Sequence, residues 1–140
     1  SLPSRGLGDV YKRQVYVSME AKLLFPSGSA SVDPGGREAL QGLASVIAEQ
    51  SDLEIVVEGH TDTDQVRSTS IPRNNWELSV LRATAVVNIL LENAGVDPSM
   101  LAASGRSEYH PVDASDKGKN RRIEVILAPN LDSLYELISE

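Results

Sequence analysis

Short apolar runs and longer amphipathic ones follow each other along the chain, and their periods define the elements. Val15, Val17 and Met19 alternate with Tyr16, Ser18 and Glu20, and an apolar stretch continues to Leu24 and Phe25. That pattern predicts a strand over Val15–Leu24. Pro26-Ser27-Gly28-Ser29 breaks it. Asp33-Pro34 reads as N-cap and first helical residue. The helix it opens runs to Gln50, with Leu40, Leu43, Ala44 and Ile47 as its apolar stripe. Leu53–Glu58 (LEIVVE) reads as a buried strand stopped by Gly59, and Asp62–Arg73 as a polar loop without a period. Asn74 caps a second helix, with Glu77 as reciprocal partner. Trp76, Val80, Ala83, Val87, Leu90 and Leu91 carry its spacing to Ala94, and Gly95 stops it.

Asp97-Pro98 starts a turn, Leu101–Ser104 is a short strand, and Gly105–Asn120 is a second polar loop. Arg122–Leu127 (RIEVIL) alternates as a strand that Pro129 ends. Asn130 then caps a last helix bearing Leu131, Leu134, Tyr135 and Ile138. The order β-α-β-α-(β)-β-α predicts an α+β fold, a two-layer α/β sandwich with helices on one sheet. Ser1–Gln14 has no sustained apolar period and reads as a disordered or non-native leader, leaving 15–140 as one domain.

Composition narrows the function. The 140 residues carry a formal charge of -7 and no cysteine. Disulfides and thiolate metal sites are excluded. The acidic balance argues against general binding to a phosphate backbone. No apolar run is long enough to span a bilayer, so a membrane anchor is expected in a parent protein rather than in this sequence.

Three segments carry candidate chemistry: Gly59-His60-Thr61-Asp62 at a strand end, Asn75-Trp76-Glu77-Leu78-Ser79 with Arg82-Ala83 at a helix start, and Asn120-Arg121-Arg122-Ile123-Glu124 entering the last strand. Asn75, Leu78, Ser79 and Arg82 share one helical face. Asp62 leaves the preceding strand, where a β-α connection brings it beside that face. A carboxylate and a guanidinium held apart by a ligand recognise a zwitterion, one taking its ammonium and the other its carboxylate. The plain alternative is an Asp–Arg ion pair with no ligand.

Together the segments resemble the OmpA-like domain family, which carries GHTD after a strand, N-x-x-L-S-x-x-R-A opening a helix, and N-R-R-[IV]-E. Phe25-Pro26-Ser27-Gly28-Ser29-Ala30 and Asn75-Trp76-Glu77-Leu78-Ser79 are similar to segments of its MotB, flagellar stator, branch. The resemblance implies a βαβαβ fold with an extra C-terminal helix. It also implies non-covalent binding of peptidoglycan through the diaminopimelate of its stem peptide. Carried over by motif, Asp62 holds the ammonium and Arg82 the carboxylate. Thr61, Asn75 and Leu78 line the site, Asn120 and Arg121 close its rim, and Phe25 packs beside the ligand. Arg122 is set apart, because strand alternation points it away from Arg121. The family further implies a periplasmic domain of a membrane-anchored envelope protein, with a homodimer as a hypothesis. The segment Thr63–Arg73 is longer than the family's usual loop and is placed to cover or reshape the site.

Two other segments carry rival chemistry. His60-x-Asp62-x-Asp64 is a conceivable metal cluster for a hydrolase, but a catalytic zinc needs about three protein ligands, and His110 is the sole other histidine. Lys117-Gly118-Lys119-Asn120-Arg121-Arg122 is a conceivable nucleic-acid patch, without interleaved aromatics. No phosphate loop or nucleophile elbow occurs. The expectation is a binding domain that is not an enzyme and that uses no metal, cofactor or nucleic acid.

Overall fold

The computed structural model describes residues 14–129. Four strands form one sheet in the order β1-β4-β2-β3. They are β1 (Val15–Glu20), β2 (Leu53–His60), β3 (Leu101–Gly105) and β4 (Arg122–Pro129). Strand β4 is antiparallel to both β1 and β2, while β2 and β3 are parallel. Helices α1 (Pro34–Ala48) and α2 (Asn75–Leu90) lie together on one face. A single helical turn, α3 (Lys117–Asn120), precedes β4.

Strand alternation sorts the two faces. Ile55 and Val57 of β2 and Ile123 and Val125 of β4 are buried against Leu40, Ala44 and Ile47 of α1 and Ala83, Val86 and Leu90 of α2. The other face carries Glu58, His60, Arg122 and Glu124, paired across the register Glu58↔Glu124 and His60↔Arg122.

The caps fall where the sequence places them. The Asp33 carboxylate accepts from the Gly36 N–H at 2.8 Å, and the Asn74 side chain accepts from the Glu77 N–H at 2.9 Å. Glu77 returns the contact one residue early, accepting from the Arg73 N–H at 2.7 Å, and its carboxylate also pairs with the Arg73 guanidinium. Those bonds hold the Glu77 carboxyl down at about 2.

Several boundaries differ from the sequence pattern. The first strand ends at Glu20, and Ala21–Leu23 form a 3-10 turn. The Ala21 carbonyl accepts from the Leu24 and Phe25 N–H groups, so Ala21, Leu24 and Phe25 are all buried rather than alternating. Strand β2 continues through Gly59 to His60. Helix α2 ends at Leu90, short of Gly95. Its buried face is Asn75, Leu78, Ser79, Arg82, Ala83, Val86, Ile89 and Leu90, whereas Trp76 and Val80 are exposed. The helix is apolar nearly all round, so apolar spacing alone selects the wrong stripe at its polar first turns. The last helix from Asn130, and the leader up to residue 13, lie outside the described residues.

Candidate functional site

The site is assembled by close packing of α2 on the ends of β2 and β3. A Cβ on Gly59 would run into the Ser79 backbone, and one on Gly105 would lie 2.6 Å from Ser79 Oγ and 2.7 Å from the Val80 nitrogen. Only glycine permits that approach. The buried Ser79 hydroxyl donates to the Trp76 carbonyl at 3.0 Å and accepts from the Ser107 N–H at 3.1 Å. The Ser107 carbonyl in turn accepts from the Thr61 N–H at 2.8 Å. The first turns of α2 are thereby fixed over the point where β2 releases Thr61 and Asp62.

A cleft of about 630 Å³ opens at this end of the sheet. Phe25, Thr61, Asp62, Asn75, Leu78, Arg82 and Arg121 all line it, as do Lys22 and the loop from Asp64 to Pro72. Seven of the eight site residues expected from the motifs therefore converge on one cavity. Asn120 is the exception. Its amide lies behind the rim, accepting from the Val112 and Asp113 N–H groups at 2.9 and 3.0 Å and donating to the Asp113 carbonyl at 2.8 Å. It shapes the loop beneath Arg121 instead of facing the cavity.

Asp62 and Arg82 are both buried, at 5% and 4% exposure, yet they do not pair with each other. One Asp62 oxygen accepts from the Asp64 N–H at 2.9 Å and the other from the guanidinium of Arg121. Arg82 Nε donates to the Ser29 carbonyl at 2.8 Å and Nη2 to the Pro26 carbonyl at 3.4 Å, while its guanidinium stands 4.9 Å over the Phe25 ring. No carboxylate of the described residues lies within 4.0 Å of it. Burial, then the charge of Arg121, pushes the Arg82 pKa down, and Asp62 opposes this. Arginine nonetheless stays cationic in proteins. A buried cation neutralised only by carbonyl dipoles and a ring face is costly, and it offers a preset seat for an anion.

Asn75 and Thr61 fix the shape of the wall. Asn75 Nδ2 donates to the carbonyls of Asp62 and Asp64 at 3.3 and 3.1 Å, and Thr61 Oγ1 donates to the Asp62 carbonyl at 2.9 Å. The sequence motifs did not mark Arg67 and Ile71, which the long loop brings to the cleft. The loop's length was the signal.

The two rival motifs are dispersed. His60 Nε2 lies 2.8 Å from Glu58 Oε1 and 3.8 Å from Glu124 Oε2, and these three residues hold potential ligand atoms within 4.8 Å of one another. Arg122 and Arg106 already balance the two carboxylates, at 2.9 and 3.3 Å. Asp62 and Asp64 turn elsewhere, to Arg121 and Lys117. In the basic segment, Lys117, Arg121 and Arg122 are each committed to an ion pair. Arg122 points away from Arg121, as alternation predicts, and donates to the Asn120 and His110 carbonyls.

The fold defines an α+β domain with a charged cleft at one end of its sheet. The chain belongs to the OmpA family, whose model matches residues 24–124. Motility protein B of Bacillus subtilis (strain 168) is 29% identical over 117 residues, covering 81% of this chain and 44% of that protein. A solved putative MotB like protein from Desulfovibrio vulgaris superposes with a TM-score of 0.76 at 28% identity, over 83% of this chain and 76% of that one. The cell wall anchor of the T6SS from Pseudomonas aeruginosa gives a TM-score of 0.70 at 30% identity, over 83% and 82% of the two chains. The chain spans about half the length of the curated relatives it matches. Among the described residues no helix is long and apolar enough to cross a membrane.

Proposed function

We propose that this domain binds peptidoglycan non-covalently, through the diaminopimelate of its stem peptide, and anchors a membrane protein or complex to the cell wall. The observation that carries the reading is the buried guanidinium of Arg82, which faces the cleft without a carboxylate partner while the Asp62 carboxylate lines the same cavity. An ammonium and a carboxylate on one ligand atom match that pair. Likeness to a cell wall anchor and to MotB-type proteins supports the same role. In this reading the domain is periplasmic and its parent is tethered to a membrane. Its work is adhesion, not catalysis, and the site takes no metal or cofactor.

The test is calorimetric titration with a diaminopimelate-containing stem peptide and sedimentation with whole sacculi, for the wild type, Asp62→Asn and Arg82→Gln. Binding by the wild type that is lost in both folded variants supports the anchor. A folded wild type that takes neither probe sinks it.

A second reading, a protein-interaction module of an outer-membrane tether, is favoured by one feature. Ile71, Trp76, Val80 and Leu81 form an exposed groove of about 320 Å³ beside the cleft, and the Tyr109 ring lies 5.7 Å from that of Trp76, tilted by 37°. Exposed apolar patches of this kind mark contact surfaces. The homodimer goes with the MotB-type resemblance instead; a monomeric mass in light scattering at every concentration counts against it.

A further inference from the structure

The cleft is charged against the grain of the molecule. The chain carries a net charge of -7, yet the cleft is lined by four cations, Lys22, Arg67, Arg82 and Arg121, and by two carboxylates, Asp62 and Asp64. Both carboxylates are already engaged, Asp62 by Arg121 and Asp64 by Lys117 at 2.6 Å. Lys22 is engaged by Glu20 at 3.2 Å.

Two of the cleft cations have no such partner. Among the described residues, Arg67, Arg82 and Lys119 are the Lys and Arg side chains that enter no ion pair, and the first two line the cleft. Arg82 is buried and clamped by carbonyls. Arg67 is exposed, sits on the long loop, and makes no side-chain hydrogen bond to a described residue. A zwitterion has one carboxylate and satisfies Arg82 alone. Its ammonium must share or take Asp62 from Arg121, so the cleft stays net positive after a zwitterion binds.

Resting on the reading above, we propose that the cleft takes a ligand with a second anionic group, which Arg67 receives, so that the long loop sets specificity for a net-anionic stem peptide. The shared chemistry is a carboxylate placed a few bonds from the zwitterionic end. A stem peptide offers two sources: the α-carboxylate of a γ-linked glutamate, and the free carboxylate that ends a peptide not joined to its neighbour. Amidation of either removes the charge but keeps the shape.

The experiment is calorimetry with three synthetic tripeptides, L-alanyl-γ-D-glutamyl-diaminopimelate and its two monoamides at those carboxylates. The proteins are the wild type, Arg67→Gln, Arg67→Lys and Asp62→Asn. One monoamide is expected to bind the wild type roughly two- to fivefold more weakly than the parent peptide, in keeping with an exposed charge pair, and which one it is identifies the source. That preference disappears in Arg67→Gln and persists in Arg67→Lys. Equal binding of all three peptides to the wild type, with loss in Asp62→Asn, overturns the second subsite and leaves the zwitterion site standing. A preference that survives Arg67→Gln also overturns it, by moving the anion to another cation. Failure of the parent peptide to bind the wild type overturns the zwitterion site, and this inference with it.

Discussion

Arg121 donates to the carboxylate of Asp62 from 59 residues further along the chain, and so holds the group that a ligand's ammonium would need. The Arg121 side chain is 45% exposed, and a pair of that kind contributes little on its own. Replacement with glutamine removes a competitor for Asp62 and a cation from the rim, effects of opposite sign. Arg121→Gln is therefore expected to bind a diaminopimelate stem peptide within about fivefold of the wild type. A calorimetric loss above tenfold makes Arg121 a direct ligand-binding group instead.

Arg82 has a structural task that Asp62 lacks. It ties the Pro26–Ser29 turn to α2 and covers the Phe25 ring. Arg82→Ala takes the donor from the half-buried Ser29 carbonyl and opens space beside the Phe25 ring, and is expected to cost about 2–3 kcal/mol. Asp62→Asn, whose partner is half in solvent, is expected to cost about 1 kcal/mol or less. Urea denaturation of both variants checks the contrast, and equal losses contradict it.

Gly105 makes room for the helix that positions the site. Gly105→Ala drives a methyl group into Ser79 Oγ and the Val80 nitrogen. Forced shifts in a packed region cost about 1–3 kcal/mol, occasionally more. Stem-peptide affinity should fall as well, because α2 carries Leu78 and Arg82. Unchanged stability would show that α2 yields freely.

His60 gives the fold a pH dependence. Burial, then the charge of Arg122, pushes its pKa below the ordinary 6.5, against the pull of Glu58. Its Nδ1 is buried and has no hydrogen-bond partner among the described residues. The unfolded chain therefore binds a proton that the native fold resists, and stability falls as pH drops through 6.5. Above that window His60 is neutral in both states and contributes no slope. Thermal melts between pH 8 and pH 5 should show this decline, flattened in His60→Gln. A variant with the same slope as the wild type would assign the decline to other groups.

Much of the fold is legible in the sequence because its signals are local. Asp33, Asn74 and Asp97 each cap the turn that follows, through side-chain acceptance from an N–H two or three residues on. Strands β2 and β4 follow from their apolar runs, and seven of the eight residues expected from the motifs line one cleft. What escaped depends on tertiary contact. At Ala21 the N–H still continues the β1–β4 ladder to the Arg121 carbonyl, but the chain turns there so that Ala21, Leu24 and Phe25 all reach the core. The burial of Asn75, Ser79 and Arg82 in place of Trp76 and Val80 is dictated by the loops that leave the strands, whose backbone groups at Asp62, Asp64, Ser107, Pro26 and Ser29 are their partners. Asn120 turns inward because the loop at Val112 and Asp113 supplies it with three backbone partners.

The register of β1 has a mechanical consequence. Val15 lies opposite Leu127, at the end of the sheet away from the cleft, and Glu20 lies opposite Arg122, beside it. A pull applied at Val15 and resisted by a ligand in the cleft acts along the strands. It loads the rungs between β1 and β4 together, in shear, rather than peeling them one by one. A tether attached ahead of β1 would meet the strongest direction of the domain.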